Sequence, residues 1–66
     1  MKNSIKMHRA NKGVTQQGLA EVIGVSKQSI VAIEHGKYVP STVLALKMAR
    51  YFETPIEELF ELEEGE

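Results

Sequence analysis

The 66-residue chain has no cysteine and no tryptophan, and all nine of its acidic residues are glutamates. Without cysteine there can be no disulfide, and two distant histidines, His8 and His35, make no ligand set for a structural zinc. There is no phosphate-cradling glycine loop, no nucleophile beside a base and no metal set. No catalytic centre assembles from these residues, so an enzyme is not expected, nor is any metal or cofactor. No apolar run approaches membrane-spanning length, and the polar opening Met1-Lys2-Asn3-Ser4-Ile5-Lys6 does not read as a signal peptide. These absences point to a soluble protein of the reducing cytoplasm. Linkers, repeats and low-complexity stretches are also missing, apart from Glu63-Glu64-Gly65-Glu66. The expectation is one domain, 1–66, with residues 62–66 a frayed acidic tail.

Small size sets the next constraint. A chain this short buries only about 60% of its unfolded surface. With no disulfide or zinc to help, stability must come from well-capped helices and from oligomerisation. The net charge of −1 conceals a division along the chain. Residues 1–37 carry Lys2, Lys6, Arg9, Lys12, Lys27 and Lys37 against Glu21 and Glu34. Residues 38–66 carry Lys47 and Arg50 against seven glutamates. A basic front and an acidic back suit a protein that turns one side to phosphates, although a solvated surface can cluster its charges by chance.

Apolar spacing is helical throughout, with no sustained period-two alternation, so an all-α fold of five helices is expected. The first spans about Ser4 to Asn11, with Ile5, His8, Arg9 and Lys12 on its inward face, and stops near Gly13. The second, capped by Thr15, runs from Gln16 to Ile23 with Leu19, Ala20 and Ile23 inward. The third, capped by Ser26, runs from Lys27 to about His35 with Ile30 and Ile33 inward. The fourth follows Pro40, takes Ser41 as cap, and buries Leu44, Ala45, Met48, Ala49 and Phe52. The fifth opens with Thr54 as cap, Pro55 as first helical residue and Glu57 reaching back; Ile56, Leu59 and Phe60 form its apolar side. Each cap is worth about 1 kcal/mol, and helices of about eight to twelve residues do not persist alone in water. They must pack on one another.

The stretch from Thr15 to Gly36 carries the function. Two short helices joined by Gly24-Val25-Ser26 can cross steeply only with a small residue at closest approach, which is Ala20, and a residue tolerant of positive φ at the bend, which is Gly24. Ile30 anchors the second helix and Val25 plugs the turn, leaving the outward face of that helix free to enter a DNA major groove.

The segment Val14-Thr15-Gln16-Gln17-Gly18-Leu19-Ala20-Glu21-Val22-Ile23-Gly24-Val25-Ser26-Lys27-Gln28-Ser29-Ile30 resembles the signature of the Cro/phage-repressor (Xre-like) helix-turn-helix family. Ile33-Glu34-His35-Gly36-Lys37, Leu44-Ala45-Leu46-Lys47-Met48-Ala49 and Ile56-Glu57-Glu58-Leu59-Phe60 continue the similarity, which covers Ile5 to Phe60. The resemblance implies a compact lambda-repressor-like bundle and a sequence-specific duplex-DNA-binding transcriptional regulator, acting as a repressor. By the same resemblance Lys27, Gln28, Ser29 and Ala32 contact bases, Ala32 by touching a thymine methyl. Gln16, Lys37, Tyr38 and Ser41, with His35, lie against phosphates. Gln28 and Ser29 could instead serve only as helix-start residues, and Tyr38 as a packing aromatic. The family also pairs an arginine and a glutamate at the positions of Arg9 and Glu34, a structural ion pair.

Three residues depart from the family pattern. His8 replaces leucine or tyrosine, and reads as a core imidazole or a pH-sensitive weak point. Gly18 removes a capping box and should cost the second helix about 1 kcal/mol relative to alanine. Glu53 stands where glycine or asparagine is common, so the end of the fourth helix is expected to be strained or tighter than usual. With few phosphate contacts per subunit, a homodimer on a palindromic operator is expected, its contacts drawn from Ile56, Leu59, Phe60 and Leu62, with Phe60 and Leu62 the exposed pair. The competing reading is an antitoxin or adaptor module whose main partner is another protein, docked through the acidic end after Glu57.

Overall fold

A computed structural model describes residues 1–66. Five helices form in the expected order: α1 (Ile5–Lys12), α2 (Gln16–Ile23), α3 (Lys27–Glu34), α4 (Thr42–Phe52) and α5 (Ile56–Leu59). The all-α expectation needs correction. Two short strands, β1 (Lys2–Asn3) and β2 (Phe60–Glu61), pair antiparallel, with Lys2 opposite Glu61 and Asn3 opposite Phe60. Two-residue strands are too short to display alternation, so periodicity could not reveal them. The pairing continues beyond the strands, since the Ser4 amide donates to the Leu59 carbonyl at 3.0 Å.

The core is drawn from every helix: Ile5 of α1; Leu19, Ala20 and Ile23 of α2; Ile30 and Ile33 of α3; Leu44, Ala45 and Met48 of α4; Leu59 of α5. Phe60 of β2 completes it. Leu59 is fully buried and Phe60 nearly so, so Phe60 is not the exposed residue the sequence suggested. Pairing with Asn3 turns its ring onto the core, while Leu62, one residue beyond the strand, is exposed. On α1 the inward face is narrower than expected. Lys12 is exposed, and its ammonium sits 4.9 Å from the centre of the Tyr51 ring.

Three expected caps are present. The hydroxyls of Thr15, Ser26 and Ser41 accept from the amides of Gly18, Ser29 and Leu44 at 2.9, 3.2 and 3.1 Å. The fourth is not. The Thr54 hydroxyl donates to the Phe52 carbonyl, α5 begins at Ile56 rather than Pro55, and it is a single turn of four residues. The N-cap of α1 is Ser4, with no side-chain cap bond, and Asn3 just before it steadies the helix start. Its side-chain oxygen accepts from the Ile5 amide, and its amide donates to the Ile33 carbonyl at 2.7 Å, tying β1 to the end of α3. His8 is half-buried, with Nδ1 2.9 Å from the Ser4 carbonyl and its ring tilted against Phe52 at 5.7 Å.

Gly18 costs α2 less than its helix propensity implies. A Cβ there would lie 3.1 Å from Val14 Cγ2 and 3.2 Å from the capping Thr15 hydroxyl, so alanine would crowd the cap. Glu53 does carry the expected strain. At φ 52°, ψ 44° it is the one non-glycine residue with positive φ, a conformation costing an L side chain about 1 kcal/mol or more. Glu53→Gly removes that strain, and the melting temperature should rise by about 4–8 °C. Far-UV circular dichroism checks this, and an unchanged or lower midpoint counts against it.

The two ends of the chain also meet through charge. The N-terminal ammonium lies 2.9 Å from Glu63 and 3.1 Å from Glu66. Hydrogen bonds to these carboxylates raise its pKa, while the Glu63 amide and then the ammonium lower that of Glu66. The clasp therefore loosens as pH rises through the ammonium's raised value, and as it falls through the Glu66 value. No helix is long and apolar enough to cross a membrane.

Candidate nucleic-acid interface

The helix-turn-helix geometry follows from Gly24 and Ala20. Gly24 takes φ 91°, and its amide closes α2 on the Ala20 carbonyl at 2.8 Å. Ala20 is 1% exposed, which lets the backbones of α2 and α3 approach closely. Ile30 and Ile33 pin one side of α3 to the core. The opposite side is an open, shallow concavity of about 390 Å³ lined by Lys27, Gln28, Val31, Ala32, His35 and Lys37. Five residues chosen from the sequence thus share one surface: Lys27, Gln28, Ala32, His35 and Lys37. Val31 and Ala32 form its apolar floor, the rest are polar or basic, and no carboxylate lines it.

The remaining chosen residues do not line this surface and have other engagements. Ser29 is half-buried, its amide and hydroxyl both bonded to the Ser26 hydroxyl. Ser41 caps α4 through its oxygen, leaving its O–H to donate. Tyr38 is 47% exposed, so it is not a core aromatic. Gln16, at the start of α2, is half-buried, and its Nε2 donates to Glu34 Oε1 at 3.1 Å.

Arg9 and Glu34 meet as the family resemblance implied. Arg9 Nε donates to Oε2 at 2.6 Å and Nη2 to Oε1 at 3.2 Å, a two-pronged contact. Arg9 Nη1 also donates to the Val14 carbonyl at 3.1 Å. The side chains are 14% and 5% exposed. One guanidinium thus joins α1, the turn before α2, and the end of α3. The Gln16 link was missed because no local spacing connects residues 18 positions apart.

Residues 5–59 match the family model described as Helix-turn-helix. The chain belongs to the Xre/Cro-like helix-turn-helix family. Both strands fall outside the matched span. Relatives of this helix-turn-helix protein include an uncharacterised HTH-type transcriptional regulator of Methanocaldococcus jannaschii, 50% identical over 66 residues and covering all of both chains. Another, from Bacillus subtilis, is 48% identical over 64 residues, 97% of each chain. Among solved structures, the restriction-modification controller protein C.AhdI of Aeromonas hydrophila superposes with a TM-score of 0.76 at 30% identity, over 85% of each chain. The two relatives carry the name of HTH-type transcriptional regulators, and the solved structure that of a controller protein.

Proposed function

We propose that this chain is a sequence-specific regulator of transcription, a repressor, that binds duplex DNA by laying α3 in the major groove. One observation carries the reading: the outward face of α3 is a concavity with basic and amide groups at its rim, an apolar floor and no carboxylate. Such a surface supplies what base edges and phosphates require. Lys27, Gln28 and Ser29 open the helix where base edges come nearest, and Ala32 meets a thymine methyl. Gln16, Lys37, Tyr38 and Ser41 grip the flanking phosphates.

A single copy offers one reading helix and few cations, so two copies act together on an inverted repeat with half-sites about 34–36 Å apart. Burial of Leu59 and Phe60 removes them from the free surface. Ile56, half-buried, and Leu62, exposed, remain from the expected set.

Selection of bound sites from random duplexes at fixed salt tests the proposal. Enrichment of one inverted repeat is the expected result; no enrichment overturns the reading, and enrichment of solitary half-sites overturns the dimer. On the selected site, Lys37→Ala should weaken binding to all sequences alike and reduce the salt slope by about one. An unchanged slope would remove Lys37 from the phosphate contacts.

A further inference from the structure

The Glu34 carboxylate does more than close an ion pair. Its Oε1 accepts from both Arg9 Nη2 and Gln16 Nε2, at 3.2 and 3.1 Å. Gln16 is the first residue of α2, and under the reading above its carboxamide meets a DNA phosphate. A carboxylate can only accept, so of the two ends of that carboxamide only the NH2 can face Glu34. One N–H is then consumed and the other is left to donate.

We infer that Glu34 is a positioning residue for DNA binding: it holds the Gln16 carboxamide in one orientation, ready for a phosphate oxygen. The inference rests on the DNA-binding reading and adds a mechanism to it. A free glutamine side chain has several rotamers and loses them on gripping a phosphate. Here the bond to Glu34 fixes those torsions before DNA arrives, as pre-organised groups do. A carboxylate near a phosphate would ordinarily repel it. Arg9, bonded to both carboxylate oxygens, compensates that charge. The three side chains thus form a relay from α1 through the end of α3 to the start of α2. Glu34 does not itself touch DNA.

The test is a double-mutant cycle on the selected duplex, read by fluorescence anisotropy at fixed salt, with circular dichroism showing each variant folded at the assay temperature. Glu34→Gln leaves one acceptor oxygen for which Arg9 and Gln16 must compete, so binding should weaken about fivefold, the worth of one hydrogen bond. In the Gln16→Ala background the same change should have almost no effect, because its route to DNA is gone. Arg9→Lys, which keeps the carboxylate and a cation beside it, should lower the melting temperature while affecting affinity far less than Glu34→Gln. Losses that multiply in the double variant, or affinities that follow melting temperature across all variants, overturn the inference.

Should Glu34→Gln not fold, NMR of the unaltered protein decides. In the free protein one Gln16 Nε2 proton should resonate downfield of ordinary glutamine side chains and exchange slowly with solvent, and DNA should shift chiefly the other. Two protons at ordinary glutamine positions with fast solvent exchange in the free protein, or equal shifts of both on binding, overturn it. If the unaltered chain binds no selected site, the DNA-binding reading itself fails.

Discussion

Glu34→Ala should cost about 3–5 kcal/mol of folding stability, the largest loss expected from any single change outside the hydrophobic core. The deletion removes the partner of a guanidinium that is only 14% exposed. Arg9 would keep one bond, to the Val14 carbonyl, which cannot balance a positive charge largely withdrawn from water. Gln16 would lose its acceptor as well. Domains of this size have about 3–5 kcal/mol in total, so the variant should be largely unfolded at room temperature. The cost belongs to the charge left behind rather than to the net worth of the pair. Arg9→Met together with Glu34→Leu should therefore recover most of the loss, since two apolar side chains strand no charge. Urea titration followed at 222 nm measures both variants. A loss under about 1 kcal/mol for Glu34→Ala would put the pair among solvent-screened surface bridges and contradict the burial argument.

What the sequence made legible was local. Helices α1 to α4 were visible because apolar residues three and four apart share a face, and because Thr15, Ser26 and Ser41 precede those faces by one turn. Gly24 marked the bend because few other residues adopt its φ without strain. Contacts between distant segments left no such trace. The β1–β2 pair joins residues nearly the length of the chain apart, and each strand is too short to alternate. Its absence from the reading led to the error at Phe60, whose burial depends on Asn3 lying opposite. Thr54 misled for a different reason. The Thr-Pro-Ile-Glu pattern fits a capped helix, but the chain leaves α4 through a strained Glu53, and there the Thr54 hydroxyl donates back to Phe52. The Arg9–Glu34 pair was named through family resemblance, not spacing. The carboxamide of Gln16 was assigned to phosphate with no sign that Glu34 already held it.

The α3 face invites the second large effect, which falls on recognition rather than stability. Gln28→Ala should lower affinity for the selected site by about 1–3 kcal/mol, roughly 5- to 150-fold, with the loss concentrated at one base pair. Gln28 is exposed in the first turn of α3 and lines the concavity beside Ala32. A carboxamide at the mouth of a major groove can accept from adenine N6 and donate to N7 together, a pairing that the other three bases do not match. Removing it leaves the phosphate grip intact, so binding to random duplex should change little and the preference at that one position should flatten. Folding stability should be nearly unaffected, because the side chain closes no core and satisfies no buried group. Competition binding against duplexes altered one base pair at a time separates the outcomes. If Gln28→Ala weakened every duplex by the same factor, as Lys37→Ala is expected to do, Gln28 would be a phosphate or capping residue and the reading of bases would have to come from Lys27 and Ser29.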